Sequence, residues 1–342
     1  MQTRKPFVIC YFNFNKSSTR IAFLQKWLYK KEKGKEERLM AQNLQNKLSI
    51  SCFDIVQKYG IKRGLQICKE SGFDAVDYNL DCYRRPENPE HSIYSGTDDT
   101  FESHFSEIRK IADDLELEIG QTHGTTKSYD SKKEEQKEWF HTIAELDLKA
   151  SSILGSPACV IHFIDSTRWG KQPPERMRSS SNEMYSTIIP YAEKYKVKIA
   201  LETFGAARVN GDRIRDFFAD PTEYLWQYNN MQTEYKTMCV DTGHTHEAGS
   251  FWVPPTEEMI RILGKDISLL HLHDNSGHWD DHMLPGMGTI NWPAVFDALD
   301  DIEYKGNYNF EIRTNCFGDY LEEYVHFVGK YARNFVDKRG RI

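Results

Sequence analysis

Residues 183–205 read EMYSTIIPYAEKYKVKIALETFG. Glu183–Lys196 carries apolar residues at helical spacing, and Lys198–Phe204 is a short β-type run closed by a carboxylate, Glu202. Pro190 falls inside the helical half and predicts a kink there. The same rhythm recurs outward in both directions. Strand-like runs occur at Leu48–Phe53, Ala75–Leu80, Glu118–His123, Ala158–Phe163, Thr237–Asp241, Ile267–His273 and Tyr308–Ile312, which with Lys198–Phe204 makes eight. Helical periodicity separates many of them, at Phe101–Leu115, Glu134–Leu154, Glu257–Gly264 and Pro293–Leu299. Alternating strands and helices imply parallel strands with right-handed crossovers. Eight such units over about 290 residues describe an α/β fold, a single-domain (β/α)₈ TIM barrel. A doubly wound sheet would ordinarily place a glycine-rich loop after its first strand, and SISCFDIVQ (residues 49–57) contains no glycine.

The chain of 342 residues is 39% hydrophobic and 28% charged, enough apolar material for one large core. No apolar run approaches the roughly 18–20 residues of a membrane span, so no membrane partner is expected. The stretch Phe7 to Phe12 is too short for a signal-peptide core, and no small-residue cleavage site follows it. Seven cysteines are scattered without a CxxC pair, which speaks for a reducing compartment and a cytoplasmic location. The net charge of −7 is unevenly spread: residues 1–39 hold ten Lys or Arg against three Glu, and the remainder 34 against 48. A body that acidic is ill suited to a phosphate backbone, which disfavours nucleic acid as its partner. Residues 1–45 are therefore read as a basic extension and residues 46–342 as the catalytic barrel. The charge run at 27–38, WLYKKEKGKEER, fits a solvated helix or a flexible tail. A basic interaction arm is a second reading of this stretch, and a third takes Met40, just ahead of the first convincing strand, as the natural start.

Chemistry in such barrels sits at the C-terminal ends of the strands. There the sequence places Gln121-Thr122-His123, His162, Glu202, Asp241 with His244, the trio His271, His273 and Asp274, and Glu311. Any one of these has an ordinary structural use as a helix cap or a buried histidine. Together, Glu, Asp, His and Glu closing strands five to eight would converge on one point. Three carboxylates there repel one another unless a cation sits among them. Three carboxylates and one imidazole form a hard, mostly oxygen site suited to Mn²⁺, Mg²⁺ or Co²⁺. The following segment, GHWDDHMLPGMGTINW (residues 277–292), sets Asp280-x-His282 and Gly286-x-Gly288 in a loop that must reach over the barrel mouth. Trp169, Trp252 and Trp279 fall in neighbouring loops, where an aromatic face could stack on a sugar ring.

Taken in order, QTHG, IPYAEKYKVKIALE, ALETFG, CVDTGHTHEAG, LHLHDNSGHWDDHMLPGMGTINWPAVFDAL and YKGNYNFEIRT resemble the xylose-isomerase-like TIM-barrel family. That family joins sugar phosphate isomerases and epimerases to abasic-site nucleases of the endonuclease-four type. The similarity covers about residues 46–335 and rests on the ordered set of motifs. It implies one divalent ion, Mn²⁺ first and Mg²⁺, Co²⁺ or Zn²⁺ otherwise, held by Glu202, Asp241, His271 and Glu311. His273 competes as third ligand, and the H-x-x-D spacing to Asp274 favours His271. His244 matches the position that meets the substrate carbonyl or its neighbouring hydroxyl. His123, His162, His273, Asp280, His282 and Trp279 are the implied substrate-binding or loop-supporting residues.

The implied reaction is isomerisation or epimerisation of a ketose or keto-sugar, phosphorylated or not. The bound ion polarises the carbonyl, and Glu202 and Glu311 move a proton between opposite faces through an enediolate. A leaving group β to the carbanion would turn the same first step into an elimination on 3-keto-glycosides. The nuclease relatives use three zinc ions, and His123, His162, His244, Asp280 and His282 stand in the corresponding order, which makes phosphodiester hydrolysis a rival. A non-catalytic carbohydrate-binding barrel is the third alternative. A homo-oligomer and an accessory subunit are both compatible with the sequence. Arg168, Arg208, Arg213 and Arg313 are the cations nearest a phosphate, though surface pairing is the ordinary use of each.

Overall fold

The computed structural model describes residues 47–84, 91–124, 133–163, 173–209 and 212–341, the side chains of 91, 92 and 207–209 excepted. All lie in the unit Asn46–Ile342. The basic extension, Met40, Arg168 and Trp169 are outside the described residues, as is the Arg208 side chain.

In chain order the strands are β1 (Leu48–Ser51), β2 (Ala75–Asn79), β3 (Glu118–His123), β4 (Ala158–Val160), β5 (Lys198–Glu202), β6 (Ala206–Val209), β7 (Asp212–Arg215), β8 (Lys236–Asp241), β9 (Ile267–His271) and β10 (Tyr308–Phe310). Eight of them pair in parallel in the order β10-β1-β2-β3-β4-β5-β8-β9. The ring closes just past β9, where Leu272 N donates to Asn309 O at 2.7 Å and Glu311 N donates to Leu272 O at 3.1 Å. The structure is thus a nearly closed (β/α)₈ barrel, and the fifth to eighth predicted strands are β5, β8, β9 and β10. Several observed strands stop one to three residues before the predicted apolar runs do, because the chain leaves the ladder there and turns into the loops that carry the polar ends. The hairpin β6–β7 is an addition that the strand rhythm did not announce.

Helices α1 (Phe53–Tyr59), α2 (Ile61–Glu70), α3 (His91–Tyr94), α4 (Asp98–Asp114), α5 (Glu134–Leu154), α6 (Pro174–Tyr195), α7 (Pro221–Asn230), α8 (Thr242–Ala248), α9 (Thr256–Leu263), α10 (Trp292–Asp301) and α11 (Leu321–Asp337) accompany the strands. α6 starts nine residues earlier than the predicted helix and continues through Pro190, which does not end it. Pro190 lies on the exposed side of α6, where water can serve the carbonyl that lost its donor, while Met184, Tyr185, Ile188 and Ala192 bury the opposite face.

Strand alternation sends Leu48, Ile50, Val76, Ile199, Leu201, Val240, Leu270 and Phe310 into the layer shared with the helices. A small apolar cluster of Ala158, Val160, Ala200, Cys239 and Leu269 is separate from that layer. Polar residues are buried on β10, β1, β2 and β3: Asn309, Ser49, Asp77 and Gln121. A polar region of this kind is affordable only with partners, and it lies beneath the strand ends.

Candidate metal centre and active site

The C-terminal ends of β5, β8, β9 and β10 bring Glu202, Asp241, His271 and Glu311 together, with ligand atoms all within 4.8 Å of one another. His271 Nδ1 sits 2.9 Å from Glu311 Oε2, 3.2 Å from Glu202 Oε1 and 3.8 Å from Asp241 Oδ2. Asp241 also caps α8, its Oδ1 accepting from His244 N at 2.6 Å. Cap and cluster position follow from one feature: the strand ends on the residue that begins the helix. Glu202, Asp241 and His271 are buried, and Glu311 is partly open. Among the described residues no lysine or arginine pairs with these three carboxylates; their charge partners are imidazoles. A buried, mostly oxygen donor set without a fixed cation fits a divalent ion.

Histidines crowd Glu202 from several sides. His162 Nε2 lies 2.5 Å from Oε2, His123 Nε2 lies 3.7 Å from the same oxygen, and His244 Nδ1 lies 3.3 Å from Oε1. Burial pushes the Glu202 carboxyl upward, but the charges of His162 and His271 and the bonds from His123 and His162 hold it well below the usual carboxylate range. Glu311 is lowered likewise, against burial, by His271 and His282. Burial would lower the imidazole of His271, yet Cys239, Glu311 and Glu202 hold it well above its ordinary value. His123 is raised to about 9 against burial, chiefly by Glu202.

The loop after β9 completes the mouth. His273 Nε2 is 2.9 Å from Asp241 Oδ1, and His273, Asp280 and His282 form a further group with converging ligand atoms. Asp280 Oδ2 is 3.3 Å from His282 Nε2 and 3.4 Å from His244 Nε2. His282 Nδ1 faces the carbonyl of Glu311 at 2.8 Å. Asp274, fully buried, organises this loop. Its carboxylate accepts from Asn275 N, Ile290 N, Gly286 N and the Trp292 indole at 2.9, 3.2, 2.9 and 2.7 Å. Gly286 adopts φ 91°, a left-handed conformation that favours glycine. Gly243 is fixed by a close approach instead: a Cβ there would lie 1.9 Å from the His273 ring.

A cavity of about 210 Å³ opens beside Glu311 and His282, lined also by Ser51, Asp54, Asn79 and Arg313. A larger one of about 500 Å³ lies at the opposite end of the barrel, against the first residues of β3 and β5, remote from this cluster. Trp279 is half exposed and Trp252 almost wholly so. Arg213 is engaged with Glu247 and Ser250, and so is not directed at the cluster. The residues that reading of the strand ends passed over are Asp77 and Asn309, inside the barrel below the cluster. An acidic residue inside the apolar run AVDYNL was the available signal for Asp77.

Among the described residues no helix is long and apolar enough to cross a membrane. A profile of the Xylose isomerase-like TIM barrel family matches residues 65–325. A Sinorhizobium fredii protein of unassigned function is 22% identical over 282 residues, 74% of this chain and 81% of the relative. The inosose isomerase of Bacillus subtilis is 25% identical over 171 residues, which span 48% of this chain and 58% of that enzyme. Among solved structures, the IOLI protein with a bound zinc atom aligns with a TM-score of 0.66 at 16% identity, covering 85% of this chain and 98% of that one. A D-tagatose 3-epimerase-like protein gives 0.64 at 20% identity with the same coverage. The 3-keto-D-glucoside 4-epimerase from E. coli gives 0.57 at 14%, covering 81% and 95%. With the profile spanning most of the barrel, the chain belongs to the xylose isomerase-like TIM barrel family.

Proposed function

We propose that this protein is a divalent-metal-dependent isomerase or epimerase of a ketose or keto-sugar. The observation that carries the reading is the largely buried group Glu202, Asp241, His271 and Glu311, in which two glutamates flank one imidazole and, among the described residues, no lysine or arginine neutralises them. Relatives named for inosose isomerisation and for 3- and 4-epimerisation of sugars support the same substrate class. Mn²⁺ suits the donor set, and a zinc atom is what the IOLI protein holds.

When bound, the ion supplies Lewis-acid polarisation of a carbonyl, which acidifies the neighbouring C–H. Glu202 and Glu311, both kept ionised, are ready to accept that proton. Return of a proton from the opposite face requires a glutamate that has been recharged. His162, 2.5 Å from Glu202 Oε2, is placed to supply it. His244 is assigned to the substrate carbonyl or adjacent hydroxyl. His123, His273, Asp280, His282 and Trp279 are assigned to substrate contact or to the loop around it. Location in the cytoplasm is part of the same reading, since the described cysteines are all free.

The test is a panel of ketoses, their phosphates and 3-keto-glycosides incubated with the manganese-loaded protein in D₂O. Deuterium entering at the carbon next to the carbonyl, read by NMR, is the expected outcome. Glu202→Gln and Glu311→Gln should each lower that exchange by at least about 100-fold. Exchange persisting in both variants rejects the acid/base assignment, and elimination products in place of epimers redirect it to a lyase.

A second reading is favoured by one specific observation. The groups His123–His162–Glu202 and His273–Asp280–His282 flank the central one, and Glu202 is shared by two of the three. That arrangement suits a multinuclear hydrolytic centre, with an abasic-site oligonucleotide as the substrate to try.

A further inference from the structure

We infer that Arg313 is a specificity-determining residue, and that the sugar taken by this site carries an anionic group, a phosphate or a carboxylate, at the end remote from its reacting carbonyl. The inference rests on the isomerase reading above and deepens it by naming the charge of the substrate. It starts from a cation without a counter-charge. Among the arginines whose side chains are described, all but Arg176 and Arg313 pair with an aspartate or glutamate. Arg176 lies in the first turn of α6, whereas Arg313 lines the cavity of about 210 Å³ beside Glu311 and His282. Asp54 lines the same cavity, but its Oδ2 accepts from the Thr314 hydroxyl at 2.9 Å and from Asn315 N at 3.0 Å. Among the described residues no ion pair joins it to Arg313. In a chain with 48 acidic side chains beyond residue 39, a guanidinium left without one of them is available to a ligand.

The backbone under Arg313 is held on both sides. Glu311 N donates to Leu272 O at 3.1 Å and Arg313 N donates to His282 O at 2.8 Å. The His282 ring in turn faces the Glu311 carbonyl. Glu311 and Arg313 both line the cavity, two residues and at most about 7 Å apart along the chain. With the reacting carbonyl at the carboxylate cluster, that step and the reach of the arginine side chain bring the guanidinium to the far end of a short sugar.

The rest of the wall offers donors. Asn79 Oδ1 accepts from Asp81 N at 2.8 Å, which turns the oxygen to the protein and leaves the NH₂ for the cavity. The half-buried Ser51 hydroxyl lines the same wall. Such groups suit sugar hydroxyls, whereas the fork of N–H groups on a guanidinium matches the oxygens of a phosphate or carboxylate. A neutral sugar would leave that fork to water.

The experiment uses the full chain loaded with manganese and three probes that share one ketose skeleton: D-fructose, D-fructose 6-phosphate and D-fructuronate. Affinity is read by titration calorimetry and folding by circular dichroism. Wild type should bind one of the acidic probes at least about 10-fold more tightly than fructose, and the tighter of the two tells phosphate from carboxylate. Arg313→Gln should remove that preference and Arg313→Lys should retain part of it. Arg261→Gln, which removes an exposed arginine paired with Asp301, should retain all of it. Equal affinity for the three probes, no binding of any included, overturns the role of Arg313 and leaves the metal reading standing. So does a preference that survives in Arg313→Gln. A wild-type chain that takes up no Mn²⁺ overturns both.

Discussion

Glu202 gathers His162, His244 and His271 around its two oxygens, and the proton content of the site follows from that crowding. His271 is held well above the ordinary imidazole value, so in the metal-free chain it carries a proton at neutral pH that an incoming ion must displace. Calorimetry of Mn²⁺ binding at pH 7 in buffers of different ionisation enthalpy should show about one proton released per ion. Enthalpies independent of buffer would contradict this. His123, raised to about 9, gives a linked expectation with a definite sign. A histidine raised on folding stabilises fully below its unfolded value of about 6.5 and loses that contribution as pH climbs through the folded one. The melting temperature of the metal-free protein should therefore fall between pH 6.5 and 9, and a rise across that window would refute the assignment. Gly243→Ala should drive a methyl group into the His273 ring and destabilise the fold by about 1–3 kcal/mol in a urea titration. At this scale the strand-closing residues were legible, since a carboxylate or imidazole ending an apolar run stands out. The H-x-H pair was ambiguous because both rings enter the mouth: His271 joins the glutamates and His273 joins Asp241. Asp77 escaped because it lies inside its apolar run, and its pairing with Gln121 depends on a register shift that no residue pattern announces.

At the scale of elements, the loop between β9 and α10 behaves as a unit with Asp274 as its internal anchor. Four donors converge on that carboxylate, and Gly286 and Trp292 bring the far side of the loop to it. Asp274→Ala leaves those donors unsatisfied in a buried setting and should cost at least about 3 kcal/mol. It should also open residues 275–290 to proteolysis and abolish turnover, with the far-ultraviolet dichroism of the barrel retained. Protection of the loop equal to wild type would show that Asp280 and His282 are held by something else. Helix α5 was readable to its ends, because Gly155 supplies the left-handed cap that stops it. The early start of α6 was not, since its first turns expose polar residues and blur the periodicity. The hairpin β6–β7 was likewise hidden: four-residue strands with charged side chains carry no apolar alternation to detect.

For the molecule as a whole, the alternation of strands and helices fixed the parallel barrel, and the barrel fixed where to look, since parallel strands send their C-terminal ends to one mouth. Charge points the same way. Beyond residue 39 the chain carries 34 basic against 48 acidic side chains, a poor match for a nucleic-acid backbone and no obstacle to a neutral sugar. The three converging ligand groups are what keep hydrolysis as the alternative, and the number of ions separates the two chemistries. Elemental mass spectrometry on protein purified without chelator or affinity metal counts them directly, with Asp241→Ala as the reference. The account predicts about one manganese, cobalt or magnesium ion per chain, lost in the variant. Two to three zinc ions per chain, or a metal content unchanged by Asp241→Ala, would contradict it.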